Sequence, residues 1–114
     1  MQLEKKDSAY LWDILDAARS IREFTHQVDF DAYLKDRKLQ MAVERALEII
    51  GIAAKKVSED LKARNSDIPW RKMIGLRNVL AHEYGEIRQE RVWAVVSTNI
   101  PELIEKIQGL MPGY

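Results

Sequence analysis

From Asp31 to about Ala63 the chain keeps the i, i+3, i+4, i+7 recurrence of an amphipathic helix, with no proline to stop it. The middle of this run, Ala46 to Ala54, is apolar nearly all round, with only Glu48 interrupting it. A helix that is apolar on every side over two turns has to be covered from more than one direction. In a small layered helical domain, neighbouring helices supply one cover and a partner subunit can supply the second. The same period runs through the rest of the chain. Leu11, Ile14, Leu15, Ala18, Ile21 and Phe24 predict a first helix, capped by Asp7 or Ser8 and ending near Gln27. Val28 to Asp31 breaks the pattern, and Asp31 can cap the long second helix. Asn65-Ser-Asp-Ile-Pro69 reads as a loop, and Pro69 suits the first turn of a third helix that ends between His82 and Gly85. Gly85 is available as a left-handed terminator. A last helix begins near Gln89; its stripe Val92, Val96, Ile100, Leu103 and Ile107 continues through Pro101, so one kinked helix is expected rather than two. Nothing alternates at period two for long. The expected fold is all-α, an antiparallel bundle of four to five helices forming one domain over residues 1–114 and acting as a homodimer.

At 114 residues such a domain buries only about two-thirds of its unfolded surface, so association adds useful burial. The formal net charge is zero, which argues against a dedicated, strongly basic nucleic-acid binder. The distribution is less even. Lys55 to Arg77 holds seven basic residues (Lys55, Lys56, Lys62, Arg64, Arg71, Lys72, Arg77) against three acidic ones (Glu59, Asp60, Asp67). That excess reads either as a solvated helix end or as a patch that steers phosphates. Zero cysteines exclude disulfides and thiolate metal sites. With His26 and His82 as the two histidines and no carboxylate pair at ligand spacing, no metal and no cofactor are expected. No leader pattern and no membrane-length apolar run is visible, so a cytoplasmic protein without membrane association is expected.

The chemistry-bearing residues gather in Gly75-Leu-Arg-Asn-Val-Leu-Ala-His-Glu-Tyr-Gly85. At roughly 100° per residue, Met73, Leu76, Val79 and Leu80 share one arc. Arg77, Asn78 and His82 share the other, with Gly75 and Ala81 between them. A glycine within a helix costs about 1 kcal/mol relative to alanine, and close approach by another helix or a substrate is one reason to keep Gly75. His82 has the side chain suited to taking and returning a proton near neutral pH; it also reads as a helix-end histidine favoured by the helix dipole. Arg77 offers a permanently charged planar fork to a phosphate, or an ordinary surface pair with Glu83 or Glu86. Asn78 can orient the imidazole, hold a phosphate oxygen or simply stand exposed. Tyr84 lies near the Arg77 stripe, at the rim of a site or packed against the helix end. Trp12, Trp70 and Trp93 fall near apolar positions and read as core or interface anchors.

Arg77, His82 and Tyr84 fit the pattern arginine, four residues, histidine, any residue, tyrosine, and Asn78 follows the arginine. In this the chain resembles the HepT toxins of the HEPN superfamily. Glu44-Arg-Ala-Leu-Glu-Ile-Ile-Gly51, Ile68-Pro-Trp70 and Val92-Trp93 also match in type and order. One departure is Ile52, where the family usually carries an acidic residue after the helix glycine. The resemblance implies a type VII toxin: a homodimeric, metal-independent endoribonuclease that cleaves RNA through 2′-hydroxyl attack. Arg77, Asn78 and His82 would be its catalytic residues. It implies as partner an MntA-like nucleotidyltransferase antitoxin that transfers AMP to Tyr84. The alternative is a catalytically silent helical module that docks such a nucleotidyltransferase and helps present its nucleotide substrate.

Overall fold

The computed structural model describes residues 4–80 and 87–112. Its backbone forms α1 (Lys5–Phe24), α2 (Phe30–Leu34), α3 (Arg37–Lys56), α4 (Glu59–Arg64), α5 (Trp70–Ile74), α6 (Leu76–Leu80) and α7 (Gln89–Ala94). A π turn (Val95–Asn99) then leads into α8 (Ile100–Leu110). No strand occurs among the described residues.

Among the described residues four helical rods make the bundle: α1, α3, the pair α5–α6, and α7 continued through the π turn into α8. Their directions follow from which residues meet. Asp7, in the first turn of α1, bonds Ser58 just past the end of α3, so these two rods are antiparallel. Gly51 lies against Met73 and Arg77, while Lys55 lines a depression with Arg71, so α5–α6 runs back along α3. Gln89 bonds Glu44 near the start of α3, and Lys106 reaches the carbonyl of Asp67. The last rod therefore runs in the direction of α3. Leu11, Ile14 and Leu15 of α1, Leu47 and Ile50 of α3, and Ile104 and Ile107 of α8 are buried between the rods.

The long second helix is broken twice. Asp29, rather than Asp31, caps α2 by accepting from Ala32 N at 2.8 Å; Asp36 starts α3 by accepting from Leu39 N at 3.0 Å; Ser58 starts α4 through Leu61 N at 3.2 Å. Each cap satisfies a backbone donor that the helix cannot reach itself. Neither Asp7 nor Ser8 caps the first helix. Its N-cap is Glu4, and the Asp7 carboxylate, 5% exposed, accepts from Ser58 N at 2.8 Å and Ser58 Oγ at 2.6 Å. That helix also stops at Phe24, before Gln27, whose φ of 59° lies in the left-handed region. The third helix is interrupted at Gly75, and its end lies outside the described residues, as does Gly85.

Ala46 to Ala54 is covered within the chain by α1 on one side and by α5–α6 on another. Ile52 stays exposed. Ahead of Pro101 the helix widens into the π turn, which accommodates a residue with no N–H to donate. Among the described residues no helix is long and apolar enough to cross a membrane.

Candidate active site

The rod α5–α6 is set by its entry and by its faces. Trp70, buried at the first position of α5, donates its indole N–H to Asn65 O at 3.0 Å and so ties the loop to the helix it precedes. Gly75 N bonds Arg71 O at 2.8 Å, and Asn78 N then bonds Gly75 O at 2.9 Å, a three-residue step that tightens the rod at the glycine. Met73 and Leu76 are buried, Val79 and Leu80 half-buried, and Arg77 and Asn78 exposed. The two arcs expected from the spacing are therefore present as far as Leu80. His82 and Tyr84 lie outside the described residues, as does Ala81.

Arg77 is placed by Gly51. A Cβ at position 51 would stand 3.0 Å from Met73 O, 3.7 Å from Arg77 Cγ and 3.8 Å from Ile74 O. The bare α-carbon lets the motif rod lie directly on α3 and gives the aliphatic stem of Arg77 a surface to cross. The close approach expected at Gly75 is thus made at Gly51. At Gly75 an added Cβ would meet carbonyls of the preceding turn, Arg71 O at 3.1 Å and Lys72 O at 3.5 Å, and no other rod. Sequence reasoning missed Gly51 although the signal was the same, a glycine inside a helix.

Two depressions of different chemistry flank Arg77. One is lined by Glu48, Ile52 and Leu80 as well as Arg77. The other joins Arg77 to Asn78, Gly75 and Ile74 of its own rod, to Arg71 of α5 and to Lys55 at the end of α3. Of the seven basic residues read along Lys55 to Arg77, Lys55 and Arg71 share the depression with the motif arginine, while Lys62 and Arg64 pair with Glu59 and Asp60. Among the described residues, no group of three His, Asp or Glu side chains could hold a metal ion; His26 is exposed past the end of α1.

A model of the HepT-like family, described as "Ribonuclease HepT-like", matches residues 14–110. The chain belongs to this family. A Thermococcus cleftensis protein named as a probable ribonuclease HepT is 40% identical over 108 residues, 95% of this chain and 98% of that one. Two Methanocaldococcus jannaschii proteins named as candidate RNases are 40% and 35% identical, covering 96% and 93% of this chain and 91% and 98% of their own lengths. No solved structure was matched.

In this HepT-like chain the start of α7 is tied down by polar contacts that the sequence reading did not anticipate. The fully buried Tyr33 donates its hydroxyl to Gln89 Oε1 at 2.6 Å, and Gln89 Nε2 donates to Glu44 Oε2 at 2.8 Å. Glu44 in turn pairs with Arg37 at 3.5 Å. Burial pushes the Tyr33 phenol well above its ordinary pKa; Glu44 adds to this and Arg37 opposes it, so the phenol stays a neutral donor. The first residue of α7 is thereby fastened to α2 and α3. Trp93 packs over Tyr33 and Phe30 in the same corner. Trp70 is a core anchor as expected, whereas Trp12 is 41% exposed. At Ile52 the candidate site has an exposed aliphatic rim, and the carboxylate on that face belongs to Glu48, one turn earlier and paired with Arg45.

Proposed function

We propose that this chain is a HepT-type toxin, a metal-independent endoribonuclease working as a homodimer. The observation that carries the reading is the exposure of Arg77 and Asn78 side by side in a cationic depression, in a chain whose family match spans the motif. His82 removes the proton of a ribose 2′-hydroxyl, and the 2′-oxygen forms a bond to the adjacent phosphorus as the bond from phosphorus to the 5′-oxygen breaks. Arg77 holds the negative charge of the pentavalent species. Asn78 orients the imidazole or a phosphate oxygen. The products are a 2′,3′-cyclic phosphate and a 5′-hydroxyl end. The leaving oxygen needs a proton, which a protonated His82 of a second copy supplies across a two-fold cleft. Silencing follows when an MntA-like nucleotidyltransferase makes the Tyr84 phenol attack the α-phosphate of ATP. Pyrophosphate leaves, and AMP then adds bulk and negative charge beside Arg77.

Cleavage of RNA should persist in excess chelator, and DNA of the same sequence should stay intact. Arg77→Ala and His82→Ala should each lower the cleavage rate by about 10²-fold or more while the helical circular dichroism is retained. Activity that chelation removes and a divalent ion restores would reject the mechanism. A folded protein that binds the nucleotidyltransferase but never cuts RNA would put the silent docking module in its place.

A further inference from the structure

Lys55 and Arg71 come from different helices and lie apart in sequence, yet they line one depression with Arg77 and Asn78. The surrounding carboxylates are engaged elsewhere: Glu59 pairs with Lys62 at 3.4 Å and Asp60 with Arg64 at 3.0 Å. Lys55, Arg71 and Arg77 form no ion pair among the described residues. All three are exposed, so their charges converge on one concave surface without a counter-charge from those residues. On the other side of Arg77 no second cation lines the depression, which is bordered by Glu48, already paired with Arg45, and by the apolar Ile52 and Leu80. A phosphodiester chain that touches Arg77 meets two further cations along the first side and none along the second.

We infer that Lys55 and Arg71 form a second phosphate subsite, which takes the phosphate neighbouring the one at Arg77 and sets the direction in which single-stranded RNA leaves the site. The subsite rests on the ribonuclease reading for its substrate but not for its charge, so the two can fail separately. It also implies that the substrate is longer than a dinucleotide, because a single phosphodiester reaches Arg77 alone. Lys55 and Arg71 are positioning residues; they act on where the strand lies.

The test uses the full chain and a short 2′-O-methyl oligoribonucleotide, which has no free 2′-hydroxyl to react, with fluorescence anisotropy across a salt series. Removing both cations in Lys55→Ala/Arg71→Ala should flatten the slope of log K against log salt by about 1.4, at about 0.7 per phosphate contact on a single strand. The charge-conserving pair Lys55→Arg/Arg71→Lys should restore it. Lys72→Ala removes a neighbouring cation that lines a different, apolar groove beside α8, and it should leave the slope unchanged. In cleavage assays the double alanine variant should raise KM several-fold on a long RNA, with kcat and the KM for a dinucleotide unchanged. If Lys72→Ala flattens the slope as much as the double variant does, or if neither slope nor KM moves, the subsite is overturned while cleavage still stands. If the wild-type chain cuts nothing but shows the Lys55- and Arg71-dependent slope, the ribonuclease reading falls and the phosphate subsite survives. No oligonucleotide binding by the wild-type chain overturns both.

Discussion

Gly51 shows how one residue without a side chain can position one with a long side chain. Alanine there would gain up to about 1 kcal/mol of helix propensity. It would also bring a methyl group to 3.0 Å from Met73 O, a backbone atom that cannot rotate away. Overpacking of this kind costs about 1–3 kcal/mol, so the clash outweighs the propensity. Gly51→Ala should lower the unfolding free energy by up to about 2 kcal/mol in urea titrations. It should also weaken oligonucleotide binding, because the Arg77 stem rides on that surface. A variant at least as stable as the parent, with unchanged binding, would show that the two rods do not depend on this contact. The exposed faces of Arg77 and Asn78 were legible from helical spacing alone. The partner surface beneath them was not, because periodicity orders residues along one helix and says nothing about which helix lies opposite.

At the scale of the helix, the bundle's rods were readable and their breaks were not. Asp36 and Ser58 are both good N-cap residues, but the apolar period continues through them, so the pattern read as one helix where the chain makes three. The last rod carried a clearer signal. Val92, Val96 and Ile100 recur at intervals of four, which in an α-helix drifts by roughly 40° per step. The wider π turn absorbs that drift and keeps all three buried. Deleting the exposed Thr98 should therefore turn the π turn into an α turn without rotating the stripe on either side, but it leaves Pro101 inside a regular helix at a cost of about 3 kcal/mol. Thermal unfolding should show a clear loss for the deletion and substantial recovery when Pro101→Ala is added. Deleting Glu105 instead rotates Ile107 and Met111 out of the core, and Pro101→Ala should not rescue it. Equal damage from both deletions, rescued or not, would refute the phase argument.

For the whole molecule, an expected second cover over Ala46 to Ala54 is largely met by the chain's own α1 and α5–α6, which leaves Ile52 as the apolar residue of that stretch facing outward. Ile52 and Leu80 border the same depression as Arg77, so a homodimer that joins there would bury them and bring two copies of the motif together. Sedimentation at micromolar concentration should show twice 13.3 kDa. Ile52→Lys, which places a second cation beside Arg77 at that rim, should shift the chain toward monomer and reduce cleavage with it. A monomeric Ile52→Lys variant that retains full cleavage would exclude a site shared between copies at this face. The clasp between Asp7 and Ser58 has a consequence of its own for how the molecule opens. It joins residues fifty-one positions apart and closes α1, α2 and α3 into a ring. Peeling away the first turn of α1 would carry the Asp7 carboxylate off with it and break both bonds to Ser58, at about 1.5–3 kcal/mol for each bond to a charged group. The amino-terminal turn, ordinarily the first part of a helix to fray, is here a fastening, and the motif rod rests on a frame whose ends are already shut.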